Sequence, residues 1–136
     1  MKKIESLLFF LFILIHNTLS QLQIETSSRQ EAIWDESKKD FIIVSEDNET
    51  TYFDVNRDWT KIKHTTPKMK SFYEIKSITK NEEKKRWDGD VISDAGNQYQ
   101  FILDPKNNNV CFIFSKEGSV NLTLYTIKEI LTCKYP

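Results

Sequence analysis

Apolar and polar residues alternate most regularly between residues 86 and 127. Side chains two positions apart in a strand point to the same face of a sheet, so this period indicates strands rather than helices. Short polar turns separate the segments, with Gly96 free to adopt positive φ and Pro105 suited to the second position of a turn. The segments are "RWDGDVIS" (86–93), "QYQFIL" (98–103), "VCFIF" (110–114) and "SVNLTLYTI" (119–127). The pattern predicts an antiparallel meander with one buried face.

The same alternation assigns side chains to the two faces of the meander. In the last segment Val120, Leu122 and Leu124 share one face and Asn121 and Thr123 share the other, so the apolar face is expected to be buried. In the three earlier segments the core-facing side is expected to carry Trp87, Gly89, Val91, Tyr99, Phe101, Leu103, Val110, Phe112 and Phe114.

The first half of the chain is less regular. Residues 27–39, "SSRQEAIWDESKK", predict a short helix, because Ser28 can cap it and Glu31 completes a capping box three residues later. The β-branched and aromatic runs "FIIVS" (41–45) and "TTYFDV" (50–55) are joined by a polar turn. They predict a β-hairpin.

Two further strands are predicted before the meander. Residues 59–63 alternate until Pro67 ends that strand or places it at an edge, and "FYEIKSIT" (72–79) forms the next one. The tail at 126–136 is expected to include a brief helical turn, and an extension of the preceding strand is the alternative. The predicted fold class is mainly β: an antiparallel meander of about seven or eight strands in a curled sheet, small barrel or sandwich, with one short N-terminal helix.

Residues 1–20 have the layout of a secretory signal peptide. A basic start precedes nine apolar residues at 7–15, and the small residues Thr18 and Ser20 fit the positions before a cleavage site. A membrane span needs about 20 apolar residues, so this run is short for an anchor, and an uncleaved anchor is the alternative. Residues 21–136 would then form a single small β-rich domain, secreted or periplasmic, without a later membrane span.

Two cysteines, Cys111 and Cys133, remain after the signal peptide. In an exported protein a small even number of cysteines most simply forms one disulfide bond. The bond would close a loop of slightly more than about 20 residues, and it would stabilise the folded state by roughly 3 kcal/mol on the chain-entropy model. The alternative is a free reactive thiol.

The residues that support catalysis or metal binding are sparse. Asp88 and Asp90 share a strand face, but their surroundings do not fit the ligand spacing of a calcium loop. His64 is the single histidine after residue 20, which argues against zinc and against a Ser–His–Asp triad. The remaining enzyme option is a small carboxylate-based hydrolase. We therefore expect a protein that is not an enzyme, without a cofactor, a metal or catalytic residues.

The charges are balanced in total but unevenly distributed. The chain has 19 basic and 20 acidic residues, so a strongly basic nucleic-acid binder is not expected. Residues 25–58 contain ten acidic and four basic side chains, whereas residues 59–86 contain nine basic and three acidic ones. This distribution is typical either of ordinary solvated faces or of a dipolar surface that steers a charged partner.

The lysine-rich segment 61–70, "KIKHTTPKMK", lies between aromatic residues and predicts a partner-binding patch. The alternative is a solubilising edge on which lysines discourage strand pairing. The predicted function is that of an exported, non-enzymatic binding or interaction module, either inhibitor-like or immunity-like or ligand-binding. Its partner would be an unknown protein or small ligand. The alternative is a structural domain at the cell surface. The candidate residues are Trp59, Lys61, Lys63, His64, Lys68 and Lys70.

Overall fold

The computed structural model describes residues 20–132, and all of its regular structure is β. The predicted signal peptide up to Leu19, and Cys133, lie outside these residues. The nine strands are β1 (Ser20–Asp35), β2 (Asp40–Asp47), β3 (Thr51–Asn56), β4 (Lys61–Thr65), β5 (Lys70–Asn81), β6 (Arg86–Ser93), β7 (Gln98–Asp104), β8 (Asn109–Lys116) and β9 (Ser119–Thr132). The mainly β antiparallel architecture is confirmed.

Strand β1 closes the sheet into a barrel. On one edge, residues 20–26 pair with β3 and residues 29–35 pair with β2. On its other edge β1 pairs antiparallel with β9 from Leu22 to Ile33. Eight strands therefore form a closed barrel in which β3 to β9 follow one another, and within residues 20–132 the extra strand β2 pairs with β1 alone.

Three predictions about the first half and the tail are wrong. Residues 27–35 belong to β1 and residues 36–39 form the turn to β2, so the predicted helix is absent from the described chain. The runs at 41–45 and 50–55 do not pair with each other, because both lie along β1. The tail continues as β9 to Thr132. In each case hydrogen bonding to distant strands outweighs the local preference for a cap or a turn.

The antiparallel meander from β6 to β9 is confirmed. The predicted core-facing side is also confirmed for β6, β7 and β8. Val91, Phe101, Leu103 and Val110 are each at most 1% exposed. Fully burying such side chains contributes about 1.5–3 kcal/mol each. An eight-stranded barrel is just wide enough for its interior to be filled by side chains, and these residues occupy it.

The prediction is wrong for the last strand. Thr123 and Tyr125 are 8% and 5% exposed, whereas Val120 is 39% exposed. The register explains the difference, because Thr123 lies opposite Phe112 on β8 and therefore shares its inward face. In β9 the polar side chain of Thr123 and the hydroxyl-bearing Tyr125 therefore face the barrel interior, and Val120 faces outward.

Candidate functional site

The structure separates two of the predicted patch residues from the lysines. Trp59 lies in the turn between β3 and β4 with φ of 57°, and its indole stacks on Trp87 with 5.5 Å between ring centroids. It packs against the edge of the core. His64 points into the barrel, because its neighbour Ile62, two residues earlier, is fully buried.

Three lysines of the predicted patch lie on the outer side of neighbouring strands. Lys61 and Lys63 alternate with the buried Ile62 in β4, and Lys70 begins β5 opposite Thr65. Lys68 lies in the turn that connects these strands. Because side chains alternate along β4, Lys61 and Lys63 face outward and His64 faces inward. The prediction of a single patch did not include this alternation.

Two exposed aromatic side chains accompany the lysines. Phe72 is 41% exposed and pairs with Lys63, and the ammonium of Lys61 lies 5.6 Å from the centre of the Phe72 ring. Tyr52 on β3 is 36% exposed. A cation over an aromatic face is worth about 0.5–1 kcal/mol at an exposed site. We name this surface the lysine face and define it as Tyr52, Lys61, Lys63, Lys70 and Phe72.

The lysine face is shallow, and two carboxylates lie beside its three lysines, since Asp54 and Glu74 are the register partners of Lys63 and Lys61. Within residues 20–132 no ion pair engages Lys61, Lys63 or Lys70. A hollow of about 230 Å³ is lined by Gln23, Tyr52, Asp54, Lys63, Thr65 and Lys70, and the amide of Gln23 donates to the Asp54 carboxylate at 3.0 Å. Pockets for drug-sized ligands are typically 300–1,000 Å³, so this surface suits contact with a macromolecule better than enclosure of a small molecule.

A second group of polar residues extends from the barrel interior to partly exposed positions on β1, where the side chains of Arg29 and Glu31 are 30% and 41% exposed, and it was not predicted. We name it the interior polar cluster and define it as Arg29, Glu31, His64, Tyr73 and Tyr125. Arg29 forms ion pairs with Glu31 and, at 3.7 Å, with Asp47. It is also the register partner of Tyr125 on β9. Residues 27–39 were predicted as a helix, so Arg29 and Glu31 were not expected to lie beside His64. Their spacing of two residues, which places both on one face of a strand, is the signal in the sequence that could have indicated this.

His64 is held neutral inside this cluster. Burial, reinforced by the charge of Arg29, lowers the pKa of His64 to about 4. Its Nδ1 lies 3.4 Å from the Tyr73 hydroxyl. Burial also raises the pKa of Tyr73 and of Tyr125. Such shifts favour the neutral forms and do not activate a phenol as an acid or a nucleophile. The cluster is only partly hydrogen-bonded, because the buried Nε2 of His64 has no hydrogen-bond partner within the described residues.

The aspartates of the meander form separate local contacts. Asp88 pairs with Arg86 at 3.0 Å, Asp90 accepts from the Ser77 hydroxyl at 3.1 Å, and Asp104 accepts from the Asn107 amide at 2.8 Å. In the described part of the chain, no group of three or more His, Cys, Asp or Glu side chains is arranged to hold a metal ion.

Cys111 lies in β8, buried at 8% exposure and opposite Leu124. Burial raises the pKa of its thiol to about 11. Its predicted partner Cys133 lies outside the described residues. Thr132 pairs with Leu22, far along β9 from Leu124, so a bridge to Cys111 would require the end of β9 to separate from β1.

A wider hollow of about 720 Å³ lies on the outside of β5 to β8, lined partly by Lys76, Asp90, Gln98 and Gln100. Lys76 already pairs with Glu74 at 3.1 Å and Asp90 with Ser77, so the charged groups of this surface are engaged. Its exposed cation, Lys76, is already paired, and its aromatic lining residues, Tyr99 and Phe114, are only partly exposed, in contrast to the lysine face.

Comparison with protein-family models, with curated proteins and with solved structures finds no match to this chain. Between residues 20 and 132 there is no helix long and apolar enough to cross a membrane.

Proposed function

We propose that this protein is an exported, non-enzymatic interaction module whose lysine face binds an acidic surface of a partner protein. The observation that carries the proposal is that Lys61, Lys63 and Lys70 form no ion pair within residues 20–132 and lie beside two exposed aromatic rings. Aromatic residues are enriched in protein interfaces, and unpaired charges steer a partner of opposite charge.

Two features favour a protein over a small ligand. The interior positions that could hold a ligand are occupied by Phe53, Phe101 and Ile62, each 0% exposed. The hollow on the lysine face is small and lies on an outer surface of the sheet. A partner would therefore meet a broad surface, with the aromatic rings as anchors and the lysines as the charged surround.

The proposal includes export through the segment 1–20 and an oxidising destination, secreted or periplasmic. Both rest on the arrangement of basic, apolar and small residues in that segment. The disulfide between Cys111 and Cys133 belongs to the same proposal, since it would form only in an oxidising compartment. The partner is expected to be a protein rather than nucleic acid.

A capture experiment tests the proposal. Mature protein, residues 21–136, is immobilised and exposed to extract from its own secretion compartment at low and at high salt. The variant Lys61→Ser/Lys63→Ser/Lys70→Ser removes the charge of the lysine face. The control Lys84→Ser/Lys106→Ser/Lys116→Ser removes the same charge from exposed residues elsewhere.

We expect one acidic partner to be captured by the wild type and the control at low salt, and by neither at high salt, because exposed charge pairs are screened. The lysine-face variant is expected to lose that partner. Equal capture by both variants, or capture insensitive to salt, would overturn the proposal.

A further inference from the structure

Strand β2 presents an unprotected edge. Among residues 20–132 it pairs only with β1 and stands at one end of the strand order. One row of its backbone N–H and C=O groups therefore lacks a neighbouring strand. Natural edge strands are usually protected by lysine, proline or inward charges, and the central run at 41–45 contains none of these.

The side chains of this edge are apolar and exposed. Ile42, Ile43 and Val44 are 37%, 54% and 58% exposed. Consecutive residues of a strand point to opposite faces, so apolar surface is available on both sides of β2. The combination of a free backbone edge and exposed β-branched residues suits the addition of another strand.

The edge is held in an ordered position. The rings of Trp34 and Phe41 meet edge to face with 5.1 Å between centroids, and the Gln30 amide donates to the Glu46 carboxylate at 3.0 Å. These contacts fix β2 against β1 at both ends of the pair. A preorganised edge lowers the conformational entropy that an incoming strand must overcome.

Charge identifies the incoming strand. Asp40 precedes the apolar run, and Glu46 and Asp47 follow it. If a second copy paired antiparallel about a two-fold axis at Ile43, Asp40 would lie opposite Glu46 at both ends. The same register would place Lys39 opposite Asp47, but these two residues already pair with Glu36 and with Arg29. Like charges directly opposite in a sheet are destabilising, so a second copy is disfavoured. A strand with basic ends places opposite charges there instead.

We propose that the free edge of β2 binds an extended, apolar segment of a partner protein that has lysine or arginine at both ends, as an added antiparallel strand. This inference is independent of the lysine face, which has the opposite charge and lies on β3, β4 and β5. Backbone hydrogen bonds would supply affinity, and the flanking charges would set the register and the choice of partner.

A charge-swap experiment with defined peptides tests the proposal. The probe is a synthetic peptide as long as β2 (8 residues), made of alternating threonine and valine with lysine at both ends. A second peptide has glutamate at both ends, and a third has the lysine ends with alternate backbone nitrogens methylated. Binding to the full mature protein is followed by fluorescence anisotropy and by amide shifts of residues 40–47.

We expect the wild type to bind the lysine-ended peptide and not its methylated form, with shifts in β2. Asp40→Lys/Glu46→Lys should weaken this binding about tenfold and create binding of the glutamate-ended peptide. The control Glu82→Lys/Glu83→Lys changes the same charge in the exposed turn before β6 and should bind as the wild type does.

Three results would overturn the inference. The first is failure of the wild type to bind the lysine-ended peptide. The second is equal binding of the methylated peptide, which would exclude strand addition. The third is a dimer in sedimentation that Val44→Lys disrupts, which would assign this edge to a second copy. None of these results depends on the lysine face.

Discussion

The imidazole of His64 stacks on the ring of Phe53 inside the barrel, with 4.6 Å between centroids and 27° between planes. The pair joins adjacent strands, since His64 on β4 is the register partner of Phe53 on β3. A titratable group is thereby built into the aromatic core, where it also lies near Tyr73 and Tyr125.

This burial predicts a loss of stability in mild acid. The pKa of His64 is about 4 in the fold, against 6.5 for the free side chain. Between these values the unfolded chain binds a proton that the folded chain excludes, so stability present above about pH 6.5 is lost as the pH falls towards 4. The expected contribution of His64 approaches about 3 kcal/mol.

Urea unfolding at about pH 7 and about pH 4.5 of the wild type and His64→Phe measures this contribution. Phenylalanine keeps a ring in contact with Phe53 but has no proton to bind. Carboxylates titrate in both proteins, so the difference between their pH dependences isolates the histidine. Identical losses of stability in the two proteins would show that His64 is not excluded from protonation by the fold.

Gly89 is expected to resist any side chain. A Cβ at this position would lie 2.4 Å from the Ser77 carbonyl oxygen and 2.8 Å from Cδ1 of Ile78, next to the bulge in β5. Because the first of these atoms belongs to the backbone, Gly89→Ala must shift the strand, and we expect a cost of about 2 kcal/mol or more in the free energy of unfolding.

Gly96→Ala is the matched comparison for Gly89→Ala. Its Cβ would have no neighbour within 4 Å, but its φ of +87° is strained for alanine, which costs about 1–2 kcal/mol. Denaturant titration should therefore rank Gly89→Ala as the more destabilising change. The reverse order would contradict the close approach of β5 and β6.

Cys111 is expected to react slowly in the folded protein. Its pKa of about 11 lowers the thiolate fraction near pH 8 by about a hundredfold relative to an ordinary thiol. In Cys133→Ser, which isolates this thiol, alkylation should be slow in buffer and fast in urea. Equal rates in both conditions would contradict its burial.

The wild type tests the proposed disulfide in the same assay. With a Cys111–Cys133 bridge, the unreduced protein should take up no alkylating agent even in urea, and intact mass should show two added groups only after reduction. Uptake without reduction would exclude the bridge. That result would instead agree with the pairing of Thr132 and Leu22 along the end of β9.

The stacked indoles of Trp59 and Trp87 should couple spectroscopically. Their planes are 15° apart and their centroids 5.5 Å apart. We expect an exciton couplet in the far-ultraviolet circular dichroism that disappears in Trp59→Phe, whereas Trp34→Phe, which alters the exposed β1–β2 hairpin, should retain it. Persistence of the couplet in Trp59→Phe would contradict the stack.

Local pattern was sufficient for β6, β7 and β8, where an apolar residue at every second position coincides with the barrel interior. It was insufficient for β9, where polar Thr123 and Tyr125 face inward because of the register with Phe112 and Val110. It also placed His64 in one patch with Lys61 and Lys63, although alternation along β4 sends the histidine and the lysines to opposite faces.

By itself, the sequence determined that the chain is antiparallel β with short turns, because strand period and turn chemistry depend on residues close together. Only the tertiary structure determined that β1 closes the barrel by pairing with β9 and that β2 is an edge strand. Residues 27–35 could satisfy a helix cap locally, yet they pair with β9 from the far end of the chain and with β2. Backbone partners so distant leave no local pattern, and they determine both the closure of the barrel and the exposure of β2.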